Sequence, residues 1–240
     1  MDLQNQTAVI TGASSGIGTA VARDLAELGM NLVVTARRGD RLRELADDIG
    51  TDRVATVEGD ILDAELPQRL IDCAVERFNR CDVVVNNAGV IQIAAIEKID
   101  IDVVCKMVRV NVEAAYRMAY VALRHFQSTG AGHLVNTSSI LGTKVRNNAG
   151  WYAGTKYAIE ALSEALRMEL AGTDIAVSCV EPGLVLTELH NDWETHPTEL
   201  LNIPDPLLPV DIARCVRFIL QQPKHVRIPK LMVLPGQHEI

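Results

Sequence analysis

Several things are scarce in this chain of 240 residues, and each scarcity removes a class of protein. No stretch approaches the roughly eighteen consecutive apolar residues that a membrane-spanning helix needs. Cysteine is sparse: Cys73, Cys81, Cys105, Cys179 and Cys215 are odd in number, scattered, and form no C-x-x-C, which disfavours a disulfide framework or a zinc site. They read as reduced thiols in the interior of a cytosolic protein. Basic charge is in deficit, with 23 Lys and Arg against 31 Asp and Glu and a net charge of −8, so long-range attraction to nucleic acid or anionic lipid is not expected. Any anion the chain binds must be captured locally. The opening Met1-Asp2-Leu3-Gln4-Asn5-Gln6 lacks the basic and apolar regions of a secretory signal. There is no internal repeat and no linker-like stretch. With 48% apolar and 22% charged residues, the expectation is a cytoplasmic globular protein, residues 1–240 forming one domain.

What is present alternates between two periodicities. Apolar runs at 7–10, 31–36, 53–58, 82–85, 133–137, 175–179 and 230–235 read as strands. Between them lie amphipathic stretches, from the glycine-rich turn to Leu28, from Arg41 to Ile49, Glu65 to Phe78, Ile101 to Phe126, Trp151 to Leu170 and Asp211 to Leu220. Repeated strand–helix alternation implies an α/β fold, a parallel sheet with helices on both faces and right-handed crossovers. The first strand runs directly into Thr11-Gly12-Ala13-Ser14-Ser15-Gly16-Ile17-Gly18. Glycines there permit positive φ and close backbone approach, and the free amides of the following helix attract a pyrophosphate. That placement predicts a dinucleotide site in a Rossmann-type fold.

Two further groups of residues suggest chemistry. Tyr152 and Lys156 are four apart on a predicted helix, so their side chains share one face. A tyrosine titrates near pH ~10 in water; an ammonium beside it and the positive end of a helix favour the phenolate, so proton exchange nearer neutrality is expected. Ser138 and Ser139 close the strand before that helix. The second strand ends in Ala36, where a domain selective for NAD would place a carboxylate for the ribose hydroxyls. Arg37 and Arg38 follow, planar cationic donors suited to a 2′-phosphate. The expected cofactor is therefore NADP(H).

With Ser139 thirteen residues before Tyr152 and Lys156 four after it, the sequence resembles the short-chain dehydrogenase/reductase family over essentially its whole length. The resemblance implies a doubly wound sheet of seven strands in the order 3-2-1-4-5-6-7. It implies that Ser139, Tyr152, Lys156 and Asn111 are catalytic, with a local kink at Asn111 letting its main chain hold a water that bonds the lysine. Gly12, Ser14, Ser15, Gly16, Ile17 and Gly18 would form the cofactor loop. Asp60 and Ile61 would sit at the adenine, although Asp60 also suits a helix cap. Asn87, Ala88 and Gly89 would line the cofactor, Tyr152 and Lys156 would touch it, and Pro182, Gly183, Val185 and Thr187 would surround the nicotinamide. Discrimination for NADP(H) would rest on the arginines, since Ser14 and Ser15 stand where many NADP-dependent members carry a basic residue.

The implied activity is hydride transfer between NADP(H) and a small carbonyl or alcohol, with the residues 181–183, 146–147 and the chain ending resembling the group of 3-hydroxy acid dehydrogenases and the aldehyde reductase of clavulanic acid formation. Lys144 and Arg146 would meet a substrate carboxylate at the rim. The stretch from about 184 to 209, broken by Pro197, Pro204, Pro206 and Pro209, would be a substrate lid carrying Trp193. His190 and His196 within it fit metal poorly, so no metal is expected. The family also implies a homodimer or homotetramer. A redox-sensing regulator without turnover is the alternative, and such proteins on this fold usually lack the tyrosine or the lysine.

Overall fold

The computed structural model describes residues 2–191, 193 and 195–239. Seven parallel strands form one sheet, β1 (Thr7–Thr11), β2 (Asn31–Ala36), β3 (Val54–Glu58), β4 (Val83–Asn86), β5 (Ala131–Thr137), β6 (Asp174–Pro182) and β7 (Lys230–Val233), in the order β3-β2-β1-β4-β5-β6-β7. The expected order is the observed one. Alternation along each strand sends Ile10, Val34, Val85 and Val135 to one face, against α1 (Gly16–Glu27), α2 (Gly39–Ile49) and α8 (Pro209–Leu220). Val9, Val33, Val84 and Leu134 go to the other, against α3 (Leu66–Phe78), α5 (Ala115–Thr129) and α6 (Gly150–Glu169). Strands covered on both faces must be apolar nearly throughout, as these are. The order reverses between β1 and β4, and the crevice at the carboxyl ends of those strands is where such sheets take ligands.

The long helix expected from Ile101 to Phe126 is divided. A helix α4 (Ile101–Val108) leads into a π-helical turn, Arg109–Ala114, before α5. The reason lies in Asn111, whose amide is held from outside the helix. Its Nδ2 donates to Val90 O at 2.8 Å and to Thr155 Oγ1 at 3.2 Å, and its Oδ1 accepts from Val90 N at 2.9 Å. Bulges of this kind relieve a helix whose side chain is drawn toward a fixed partner.

The segment after β6 has more structure than its sequence suggests. It contains a 3₁₀ turn, Glu188–His190, and a single helical turn α7 (Pro197–Leu200). Pro209 begins α8 where a break was expected, because proline at a first helical position forfeits an N–H that would have no partner. Asp211 Oδ2 accepts from Leu208 N at 2.8 Å across that first turn.

Candidate active site and cofactor cleft

A cleft of about 1160 Å³ runs along the carboxyl ends of the strands. Its floor at one end is the glycine loop between β1 and α1. Gly12 has φ +69°, and a Cβ there would stand 2.9 Å from Ala88 Cα; a Cβ on Gly18 would lie 2.3 Å from Gly12 O. No larger residue fits either place. Ser15, before α1, makes no side-chain cap, and the first turn carries no acidic residue. The leading amides of α1 therefore face the cleft without a protein acceptor from Ser15, as an anion site requires. Thr11 Oγ1 accepts from Asn87 N and Ala88 N, both at 2.9 Å, which fixes the turn after β4 against the glycine loop. Gly16, Ile17, Asn87, Ala88, Gly89, Asp60 and Ile61 line the same wall.

At the outer rim the two expected arginines part company. Arg37 is exposed and bonds to no described residue, whereas Arg38 donates from Nε and Nη2 to Ser14 Oγ at 3.2 and 3.1 Å. Arg38 Nη1 also lies 2.8 Å from Glu188 Oε2, and Arg41 pairs with the other oxygen of the same carboxylate. Arg37 and Arg38 both line the cleft, and Arg41 is tied to Arg38 through the shared Glu188 carboxylate. Asp60 proves to be no cap for α3, which starts at Leu66: its Oδ1 accepts from Leu62 N at 3.0 Å, closing a local turn.

Of the four candidate catalytic residues, Ser139, Tyr152 and Lys156 line the cleft, and Asn111 lies directly behind Gly89, its Oδ1 3.4 Å from where a Cβ on that glycine would stand. Ser139, Tyr152, Lys156 and Asn111 are all buried, arriving from the end of β5, the first turns of α6 and the π turn. Lys156 Nζ donates to Thr137 O at 2.9 Å and stands 5.7 Å from the Tyr152 ring centre. Ser139 Oγ accepts from Leu141 N at 3.1 Å, which orients its hydroxyl.

The electrostatics differ from the sequence expectation. Burial pushes the Tyr152 phenol up to about 12, against the opposing pull of the Ser139 hydroxyl. Burial also lowers Lys156 to about 8, with Cys179 and Glu160 acting the other way. A dry environment penalises each charged form. Of the two groups it is the lysine, not the tyrosine, that burial shifts towards neutrality.

The end of the cleft expected to take the nicotinamide is bounded by β6 and the chain ending. Gly183 N donates to Val233 O at 2.8 Å, and a Cβ on Gly183 would meet His238 Nδ1 at 2.8 Å. Pro182, Val185 and Thr187 line the cleft there, and Thr187 Oγ1 accepts from Leu189 N at 3.3 Å. Trp193 also lines it, with its ring edge-on to His190 at 5.1 Å, while His190 meets His196 at 6.0 Å. Positions 192 and 194 of the expected lid lie outside the described residues. Lys144 and Arg146 reach the cleft from the loop before α6, and the Arg146 side chain has no acidic partner among the described residues.

The model of the short chain dehydrogenase family matches residues 6–198. The chain belongs to that family. A relative within it, an uncharacterized oxidoreductase of Staphylococcus saprophyticus, is 34% identical over 238 residues, covering 98% of this chain and 99% of its own. Among solved structures, the alcohol dehydrogenase of Thermococcus sibiricus complexed with 5-hydroxy-NADP superposes with a TM-score of 0.87 at 32% identity, covering 98% of both chains. A closed form of serine dehydrogenase complexed with NADP+ gives 0.90 at 26% identity, covering 98% of this chain and 97% of its own.

In this short chain dehydrogenase several site residues escaped the sequence reading. Glu188 and Arg41 carried no signal, because the carboxylate lies 150 residues from Arg38. Thr155, which receives Asn111, sits inside the Tyr-x-x-x-Lys segment and was legible in principle as the polar residue beside the lysine. Beneath Lys156, Glu160 and Glu181 are both buried, and Lys230 Nζ stands 2.9 Å from Glu160 Oε2 and 4.0 Å from Glu181 Oε1. Only the pairing of β6 with β7 brings that lysine to those acids.

Proposed function

We propose that this protein interconverts a small polar carbonyl compound and its alcohol with NADP(H). The observation that carries the reading is that Ser139, Tyr152 and Lys156 line one cleft with the glycine loop, with Asn111 buried behind Gly89. NADP(H), when bound, supplies or accepts the hydride. The chain's own residues do the rest. Tyr152 Oη holds the proton that the substrate oxygen receives in reduction and surrenders in oxidation. Ser139 Oγ donates a hydrogen bond to that oxygen as charge develops on it. Lys156, anchored on Thr137 O, favours the phenolate by its charge and holds the ribose. Asn111 keeps the π turn in place, so that its main chain can bind the water linking the lysine to solvent.

The preference for NADP(H) is supported by Ala36 in place of an acid and by Arg38 lying across Ser14. It is also supported by the NADP-type ligands named for two related structures. Arg146 would receive a carboxylate on the substrate, as serine carries in the related dehydrogenase. The test is cofactor oxidation with NADPH and with NADH against a panel of small polar aldehydes and ketones, each acid paired with its ester. Turnover with NADPH in preference to NADH is the expected result. Cofactor binding without turnover of any member would instead fit a redox-sensing regulator.

A further inference from the structure

Arg38 lines the cleft rim, braced on Ser14 of the glycine loop, and Arg41 stands beside it. Glu188 spans them, one carboxylate oxygen to each arginine. A planar anion gripped by two forked cations is the arrangement that receives a phosphate monoester. Here a side chain of the protein occupies it, carried by the first turn after Thr187. Resting on the NADP(H) reading above, we propose that Glu188 is a specificity-determining residue that competes with the cofactor's 2′-phosphate for Arg38 and Arg41.

The charge count explains the competition. Two guanidinium groups carry +2, and one carboxylate leaves +1; a nearly dianionic phosphate added beside that carboxylate would make the cluster net negative, so the phosphate binds well only if Glu188 withdraws. A 2′-hydroxyl imposes no such requirement, because a hydroxyl can donate to the carboxylate. Glu188 therefore narrows the margin by which the arginines favour a phosphorylated ribose. The groups are all partly exposed, with Arg38 at 42% and Glu188 at 39%, so the effect is moderate and falls as salt is raised.

The experiment uses adenosine 2′,5′-bisphosphate and adenosine 5′-monophosphate, which carry the phosphate question without the nicotinamide, and measures their affinities by calorimetry for wild type, Glu188→Gln, Arg38→Ala and the double variant. Glu188→Gln is expected to tighten the bisphosphate at least threefold and to leave the monophosphate within twofold. In the Arg38→Ala background that gain is expected to shrink to less than half. A gain below threefold, an equal gain for both nucleotides, or an undiminished gain without Arg38 overturns the inference. If wild type tells the two nucleotides apart and Glu188→Gln gains nothing, the NADP(H) reading stands and only Glu188's role is lost. If no variant distinguishes them, both are lost.

Discussion

Carboxylates meet cations at the rim of the cleft and at a second site outside its lining, and the same chemistry behaves in opposite ways at each. At the rim, Glu188 is held below the usual carboxylate range by its hydrogen bonds to Arg41 and then Arg38, in contact with water. At the second site, Glu181 is pushed up to about 7 by burial and then by Glu160, with Lys230 pulling only partly against them. Glu181 is 2% exposed and Glu160 6%, while their shared lysine is 36% exposed. One cation cannot compensate two desolvated acids, whereas two cations readily hold one hydrated acid. Glu160 Oε1 and Glu181 Oε1 have no hydrogen-bond partner among the described residues.

The largest effect expected is chemical and lies in the cleft itself. Tyr152→Phe keeps the packed ring and removes the transferable proton, so turnover should fall by about 10²–10⁴-fold while NADPH affinity stays nearly intact. Retention of more than about a tenth of the rate would remove Tyr152 from its proposed role.

Next comes Glu181→Gln, which sharpens the electrostatic side of the comparison. Because the folded value of Glu181 is raised, to about 7 from an ordinary 4.5, its contribution is fully present below pH ~4.5 and is lost as pH rises through about 7. A glutamine does not titrate. Relative to wild type, the variant should therefore gain stability between pH 5 and pH 8, on the order of 2 kcal/mol. Denaturant unfolding at both pH values measures it, and a difference independent of pH would show that Glu181 is charged throughout.

At the rim the changes should be smaller and confined to the phosphate. Arg38→Ala should weaken NADPH binding by about tenfold, the value of one charge-assisted hydrogen bond, and alter NADH binding little. Equal losses for both cofactors would place Arg38 against the shared part of the nucleotide. The smallest effect is expected where an ion pair serves neither purpose. Arg23 and Asp48, 2.6 Å apart with both side chains about half exposed, should lose less than about 0.5 kcal/mol on Asp48→Asn. A larger loss there would mean that exposure does not govern these pairs.

Much of this was readable in one dimension. Strand–helix alternation predicted the sheet, and β2, Asn31–Ala36, has the boundaries its apolar run suggests. The Asn111 kink was anticipated through resemblance alone, since no periodicity shows that a helix will yield to a partner at Val90 and Thr155. The lowering expected for the tyrosine failed because spacing on a helix reports proximity and says nothing of water. Burial of Tyr152 and Lys156 comes from the loop before α6, the π turn and the end of β5, none of which lies within the motif.

The sequence by itself determined the order of the elements, the glycine loop that admits no side chain, and the four-residue spacing that aligns Tyr152 with Lys156. These follow from local stereochemistry and from periods of two and 3.6 residues. Tertiary structure alone decided that Glu188 lies between Arg38 and Arg41, and that the buried Glu160 and Glu181 share the half-exposed Lys230. Those contacts join residues far apart in the chain, and their energies depend on solvent exclusion, which exists only once the sheet and its two helical layers have closed around them.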